Sequence, residues 1–298
     1  MQQTQGRSKF PFTTKRARIS DGDVAYFDHG DGPAILFVHG LVGDFTHFEH
    51  VAARLAATGH RVIGLDLPGC GASHKKRRRY DLGGYARDVL EVMDALGLER
   101  VTLAGHSAGG AVVAEAALRD PERVERLVLI SSAGLRSYGP AAHAAVKTFL
   151  RPWVLERSLE RLAMPLLDLV LVEKNAYTEK FVRDALDRPK FPTLREMARV
   201  MSDFVPDLVV PTILDNAHRF SVPVLVVWGD ADKLVPAEAA ATLSKRLPDV
   251  TLRLLSSCGH MPMIERPETV TREIAAFVGR GRPGLARASA PLPASRAA

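Results

Sequence analysis

Six short runs of aliphatic and β-branched residues recur along the chain, at positions 34–38, 61–65, 101–104, 126–130, 222–228 and 251–255. Each run is nearly continuously apolar, the pattern of a parallel strand buried on both faces. Helical periodicities lie between them. Across 81–96, residues Leu82, Tyr85, Val89, Val92, Met93 and Leu96 fall on one face at 3.6-residue spacing. The stretches 236–247 and 267–278 each open with proline, which suits a first helical position. Strands alternating with helices predict an α/β fold, a mostly parallel sheet with helices on both faces. One region breaks the alternation. Residues 135–220 show no strand pattern and are punctuated by Pro140, Pro152, Pro165, Pro189, Pro192, Pro206 and Pro211. Proline at such intervals divides helices into short, angled pieces. The expectation is a helical cap at 135–220, inserted into a core formed by 20–134 and 221–280.

The ends read differently. Residues 281–298 are almost entirely Arg, Ala, Pro, Gly and Ser, the composition of a disordered tail. Residues 1–19 are expected to be a flexible basic extension. These termini also account for the charge. The chain carries a net +6, but residues 1–20 hold five Lys/Arg and residues 280–298 hold four, with no acid in either. The body between them is therefore left at −3. With aromatic residues at only 6%, the basic folded face of a nucleic-acid platform is missing, and no nucleic-acid partner is expected.

A length of 298 residues with 46% hydrophobic and 25% charged residues fits a soluble globular protein. The longest apolar stretches, such as 34–38 and 166–172, stop well short of the ~18 residues of a membrane span. No secretory leader is read at the N-terminus, so a cytoplasmic location is expected. Two cysteines, Cys70 and Cys258, cannot build a disulfide framework or a zinc cluster, and are read as reduced thiols.

The candidate chemistry begins at Gly105-His106-Ser107-Ala108-Gly109, which follows the run 101–104 and opens a helical stretch from 110 to 119. This is a G-x-S-x-G pattern in its strand–turn–helix setting. A sharp turn exposes the serine oxygen only if the residues two before and two after lack side chains. Serine needs a base, and the base needs an orienting acid, here in the chain order Ser, acid, His. His260, in Cys258-Gly259-His260-Met261-Pro262 after the run 251–255, is the histidine that follows a plausible acid. Trp228-Gly229-Asp230-Ala231-Asp232 offers two aspartates after the preceding run, whereas Ser131-Ser132-Ala133-Gly134 after the run 126–130 offers none. Oxyanion donors are expected from His39-Gly40-Leu41, where Gly40 turns the Leu41 N–H inward, and from the Ala108 N–H at the helix start. His39 and His106 read as packing or hydrogen-bonding residues and Asp66 as a structural loop residue. Glu265 is expected to form an ion pair that positions the His260 loop. The run His74-Lys75-Lys76-Arg77-Arg78-Arg79 is read as a solvated loop, with a positive patch that concentrates anionic substrates as the alternative.

These motifs resemble those of the α/β-hydrolase superfamily over roughly residues 20–280. Besides Gly105–Gly109, the matches are His39-Gly40, Asp66-Leu67-Pro68-Gly69-Cys70-Gly71-Ala72-Ser73, Gly229-x-x-Asp232-x-x-Val235-Pro236 and Gly259-His260-x-Pro262-x-x-Glu265-x-Pro267-Glu268. The resemblance implies that Asp232, not Asp230, is the acid of a Ser107–Asp232–His260 triad. It also implies a cap between the sixth and seventh strands. Ser107 stands where haloalkane dehalogenases and epoxide hydrolases need aspartate. His39-Gly40-Leu41 lacks the His-Gly-Gly-Gly loop of hormone-sensitive-lipase-like enzymes. His106 and Val42-Gly43-Asp44 depart from the pattern of carbon–carbon bond hydrolases. What the resemblance then implies is a carboxylic ester hydrolase, lipase-like or acting on small esters, with no cofactor or metal; the many apolar residues across 154–172 of the cap add the expectation of an apolar acyl substrate. Thioesterase, acyltransferase, lactonase and carbon–carbon hydrolase on the same triad are the alternatives, with a non-catalytic ligand receptor as a different class.

Overall fold

The computed structural model describes residues 10–76, 79–135, 150–187 and 193–279, together with residues 139 and 148. Its strands are β1 (Lys15–Ile19), β2 (Gly22–His29), β3 (Ala34–Val38), β4 (Arg61–Leu65), β5 (Val101–His106), β6 (Val124–Ile130), β7 (Val224–Gly229) and β8 (Val250–Leu255). They form one eight-stranded sheet in the order β1-β2-β4-β3-β5-β6-β7-β8. β2 runs antiparallel to both β1 and β4, and every pairing from β4 to β8 is parallel. The helices of the sheet layers are α1 (Glu49–Ala57), α2 (Leu82–Ala95) and α3 (Ala108–Arg119). Between β6 and β7 come α4 (Pro152–Val170), α5 (Ala176–Asp187), α6 (Leu194–Leu208) and α7 (Thr212–Asn216). After β7 follow α8 (Glu238–Ser244), α9 (Pro262–Glu265) and α10 (Pro267–Val278).

The continuously apolar runs carry a hidden alternation. In β3, Leu36 and Val38 join the core on the α2–α3 side, whereas Ile35 and Phe37 pack with Phe48 and Leu55 near α1. In β7, Val224, Val226 and Trp228 face one core, and Leu225 and Val227 the other. A strand covered by helices on both faces must be apolar at odd and even positions alike.

Several expectations are corrected here. Residues 15–19 are not a flexible extension; they form edge strand β1, with Ala17 and Ile19 buried and the Lys and Arg side chains outward. Pairing with β2 supplies the hydrogen bonds, and outward cations suit a sheet edge. Strand β2, carrying the buried run Val24, Ala25, Tyr26 and Phe27, is absent from the six predicted runs. β8 is an edge strand rather than one buried on both sides: it pairs only with β7, and Leu254 is half exposed. Pro165 and Pro206 do not divide helices but lie inside α4 and α6. Each gives up one backbone hydrogen bond, a loss that packing of the apolar faces of α4 and α6 against each other outweighs. The predicted tail 281–298 and residues 1–9 lie outside the described residues.

In the basic run the expected solvated loop is corrected at Lys76, whereas Lys75 and Arg79 are exposed. Lys76 is buried, and its Nζ lies 2.6 Å from Asp88. Arg79 pairs with Asp207 at 3.7 Å, and Arg199 Nη1 donates to the Lys76 carbonyl at 2.9 Å. The Tyr80 hydroxyl donates to Glu196. Those partners sit on α2 and α6, so the segment fastens the inserted helices to the core. Arg77 and Arg78 lie outside the described residues.

Candidate active site

The carboxyl ends of β3, β5, β7 and β8 lie along one edge of the sheet, with β6 between β5 and β7, and each leads into one of the predicted chemical loops. A parallel sheet gathers loops from distant sequence at that edge. After β5 the backbone turns at Ser107, held at φ +52° and ψ −117°. A non-glycine residue there stores strain of about 1–3 kcal/mol, borne by the surrounding structure. The neighbouring glycines have a steric cause. A Cβ on Gly105 would collide with the Gly109 carbonyl, and one on Gly109 with the carbonyls of Val38 and His39. Gly110, which lies outside the G-x-S-x-G pattern, is also closely packed, because a Cβ would meet the Ser132 side chain. The turn is tied to β6 by Ser107 N–H to Ile130 O and to the next loop by Ala133 N–H to Ser107 O, both 2.9 Å.

Three side chains form one hydrogen-bonded line. His260 Nδ1 lies 2.8 Å from Asp232 Oδ2, and His260 Nε2 lies 2.9 Å from Ser107 Oγ. With a carboxylate as acceptor, the tautomer that fits both contacts donates from Nδ1–H and presents the Nε2 lone pair to the serine hydroxyl. The other Asp232 oxygen accepts the N–H groups of Leu234 and Val235, each at 2.9 Å. Asp230 turns elsewhere: it is exposed, and it accepts the Ser257 N–H at 2.8 Å. It joins the loops after β7 and β8 without reaching His260. Gly229 lets those loops touch, since a Cβ there would meet the Cys258 and Gly259 carbonyls.

His39 and His106 brace this line. His39 Nδ1 lies 2.7 Å from the Gly40 carbonyl, and its Nε2 accepts the Leu67 N–H at 3.0 Å. That pins the loop after β3 to the loop after β4. Burial holds the imidazole neutral, with its pKa down to about 4. His106 donates from Nε2 to the His260 carbonyl at 2.8 Å, and its Nδ1 is buried without a hydrogen-bond partner. Burial, reinforced by His260 nearby, keeps His106 well below the usual histidine range. Asp66 accepts the N–H groups of Phe45 and Ala72 at 2.8 and 2.7 Å, a loop-building role.

Leu41 lies in a turn closed by Gly43 N–H to Gly40 O at 3.1 Å, in which Val42 takes φ +48°. For a β-branched residue that is a strained conformation, visible only in the structure. Ala108 begins α3, so its N–H has no acceptor within the helix. The expected ion pair of Glu265 is corrected. Its carboxylate is met by backbone amides, among them Gly259 and Met261 on either side of His260. A carboxylate can be compensated by several N–H donors as well as by one cation, and spacing does not reveal which. Cys70 and Cys258 are free and buried, and burial pushes both thiols up. Among the described residues, no group of three or more His, Cys, Asp or Glu side chains is placed to hold a metal.

A family model described as serine aminopeptidase, S33, matches residues 32–267. The chain is 30% identical to the dihydrolipoyllysine-residue acetyltransferase component of the acetoin cleaving system of Pseudomonas putida, over 89% of this chain and 69% of that protein. It is 30% identical to a 2-hydroxy-6-oxononadienedioate/2-hydroxy-6-oxononatrienedioate hydrolase of Burkholderia vietnamiensis, covering 88% and 94%. Lipase 1 of Psychrobacter immobilis is 28% identical, covering 91% of this chain and 86% of the lipase.

Proposed function

Because the chain belongs to the serine aminopeptidase S33 family of the α/β-hydrolase superfamily, we propose that it is a serine hydrolase cleaving carboxylic esters of uncharged acyl groups. The observation that carries this reading is the continuous line from Ser107 Oγ through His260 to Asp232, at 2.9 and 2.8 Å. Ser107 Oγ attacks the acyl carbonyl while His260 Nε2 takes its proton, and Asp232 stabilises the resulting imidazolium. The Leu41 and Ala108 N–H groups receive the oxyanion of the tetrahedral intermediate. His260 then returns the proton to the leaving alkoxide, which departs as the alcohol. Water repeats the attack on the acyl-enzyme, with His260 again as base, releasing the acid and restoring Ser107.

Uncharged acyl groups are favoured by the insert, here read as a cap. Leu155 and Leu159 of α4 are consumed in packing against α6. Leu166, Leu167, Leu169 and Val170, farther along α4, keep part or much of their surface open. Each methylene buried against such residues contributes about 0.8 kcal/mol. The lipase relative supports an ester substrate, and the carbon–carbon bond hydrolase relative keeps that chemistry as the second reading.

A panel of acetyl, butyryl and octanoyl nitrophenyl esters, with an aminoacyl anilide and a vinylogous diketone acid beside them, separates the readings. Turnover of esters that rises from acetyl to butyryl, is lost in Ser107→Ala, and exceeds that of the other two substrates is the expected result. Preferential cleavage of the anilide or the diketone acid would replace the ester assignment. Ligand-induced stabilisation without turnover of any substrate would make the protein a receptor.

A further inference from the structure

The loop that carries His260 and the inserted helices meet at one buried carboxylate. Glu265 is 1% exposed. Its Oε2 accepts the N–H groups of Val172 and Glu173 at 3.0 and 2.8 Å, just where the chain leaves α4. Its Oε1 accepts the Met261 N–H at 3.3 Å, and the Gly259 N–H is shared between both oxygens at 3.0 Å. Two backbone links run beside it. The His260 N–H donates to the Val170 carbonyl at 2.9 Å, and Asn175 Nδ2 donates to the Glu265 carbonyl at 2.9 Å. A charge taken out of water must be met by donors. Here the donors come from two segments, so neither can withdraw without leaving the carboxylate short of partners.

We infer that Glu265 is a positioning residue that locks the end of α4 to the His260 loop, so that the grip of α4 on an acyl group and the placement of the base are coupled. The last turns of α4 make the link one-directional in sequence: Leu166, Leu167 and Leu169 precede Val170, whose carbonyl holds His260. A longer acyl chain packed on these leucines steadies Val170 and Val172, and through Glu265 steadies Gly259 and Met261 around the base. An acetyl group is too short to do so.

The kinetic consequence rests on the ester-hydrolase reading, whereas the exchange measurement below does not. Glu265→Gln keeps size and shape but offers one acceptor and one NH2 donor. It can therefore serve the amides of the His260 loop or those beyond α4, not both. The ratio of kcat/KM for butyryl over acetyl esters is expected to fall about five-fold or more in this variant, chiefly through kcat. A merely structural role would lower both esters equally and leave the ratio unchanged, which overturns the inference. Val172→Pro removes one donor on the α4 side and spares every bond of the His260 loop. Leu171, at ψ 129°, already has the backbone a residue before proline adopts. Amide exchange at Gly259 and Met261 is expected to quicken about ten-fold in Val172→Pro, although no atom of that loop has changed. Unaltered exchange there would reject the coupling, and this variant carries the test if Glu265→Gln does not fold. Turnover retained in Ser107→Ala would instead sink the acyl-enzyme reading and leave the exchange result to decide on Glu265.

Discussion

Asp230 and Asp232 occupy the same loop two residues apart, yet only Asp232 reaches His260 Nδ1. Asp232→Asn is expected to lower kcat by about 10⁴-fold, because an amide in that place favours the wrong imidazole tautomer. Asp230→Asn should cost under about ten-fold, since its bond to the Ser257 N–H survives with an amide oxygen. Steady-state kinetics of the two variants checks the ranking, and the reverse order would reassign the acid. His39 makes a second prediction. Its pKa is about 4 in the fold against 6.5 for an ordinary histidine. Between those values the unfolded chain binds the proton and the folded chain does not, so stability falls as pH falls from 6.5 towards 4. The contribution lost is about 3 kcal/mol for this buried ring. Denaturation midpoints across that window should drop less steeply in His39→Gln, whose amide oxygen can still accept the Leu67 N–H. Parallel slopes would show that other groups govern the acid limb.

Among the elements, the turn between β5 and α3 rests on backbone packing against backbone, which has no flexible side chain to yield. Gly105→Ala and Gly109→Ala should each destabilise by about 3 kcal/mol or more, since a Cβ meets carbonyl groups at both sites. Gly97→Ala is the informative contrast. Gly97 has φ +64°, but a methyl group there would find nothing within 4 Å, so only the left-handed backbone penalty of about 1–2 kcal/mol applies. Chemical denaturation of the three variants measures the difference. Equal losses would mean that conformation, not close approach, selects glycine in the turn. The Asp81 side chain caps α2 through the Gly84 N–H at 2.7 Å, an N-terminus that the periodicity starting at residue 81 also predicts.

Across the protein as a whole, attachment of the insert to the core runs through charged residues that the sequence presents as surface. Lys76 and Asp88 are buried together, with burial pushing the Asp88 carboxyl up and Lys76 drawing it back. Lys76→Met should destabilise by about 3–5 kcal/mol, because it strands a buried carboxylate. The double variant Lys76→Met/Asp88→Leu should recover most of that loss, as no charge is left without a partner. Thermal unfolding of both variants decides the matter, and a double variant no better than the single one would show that the pair itself stabilises the fold.

Features that depend on neighbours along the chain are legible without the fold. The Gly105–Gly109 turn is one, because its steric demand falls on residues within a few positions. The inner parallel strands are another, because burial on both faces makes them apolar at nearly every position. The Ser107, Asp and His order can be read as well, since each loop follows its own strand. Partner choice, by contrast, emerges only once the chain has folded. Whether Asp230 or Asp232 faces His260, whether Glu265 meets a cation or a set of amides, and whether Lys76 is solvated or buried all depend on segments far away in sequence. β1 escapes notice for the same reason, as two inward apolar residues make a strand only when β2 lies beside them. Local sterics and periodicity are carried by short stretches, whereas the environment of a charge is set by everything that folds around it.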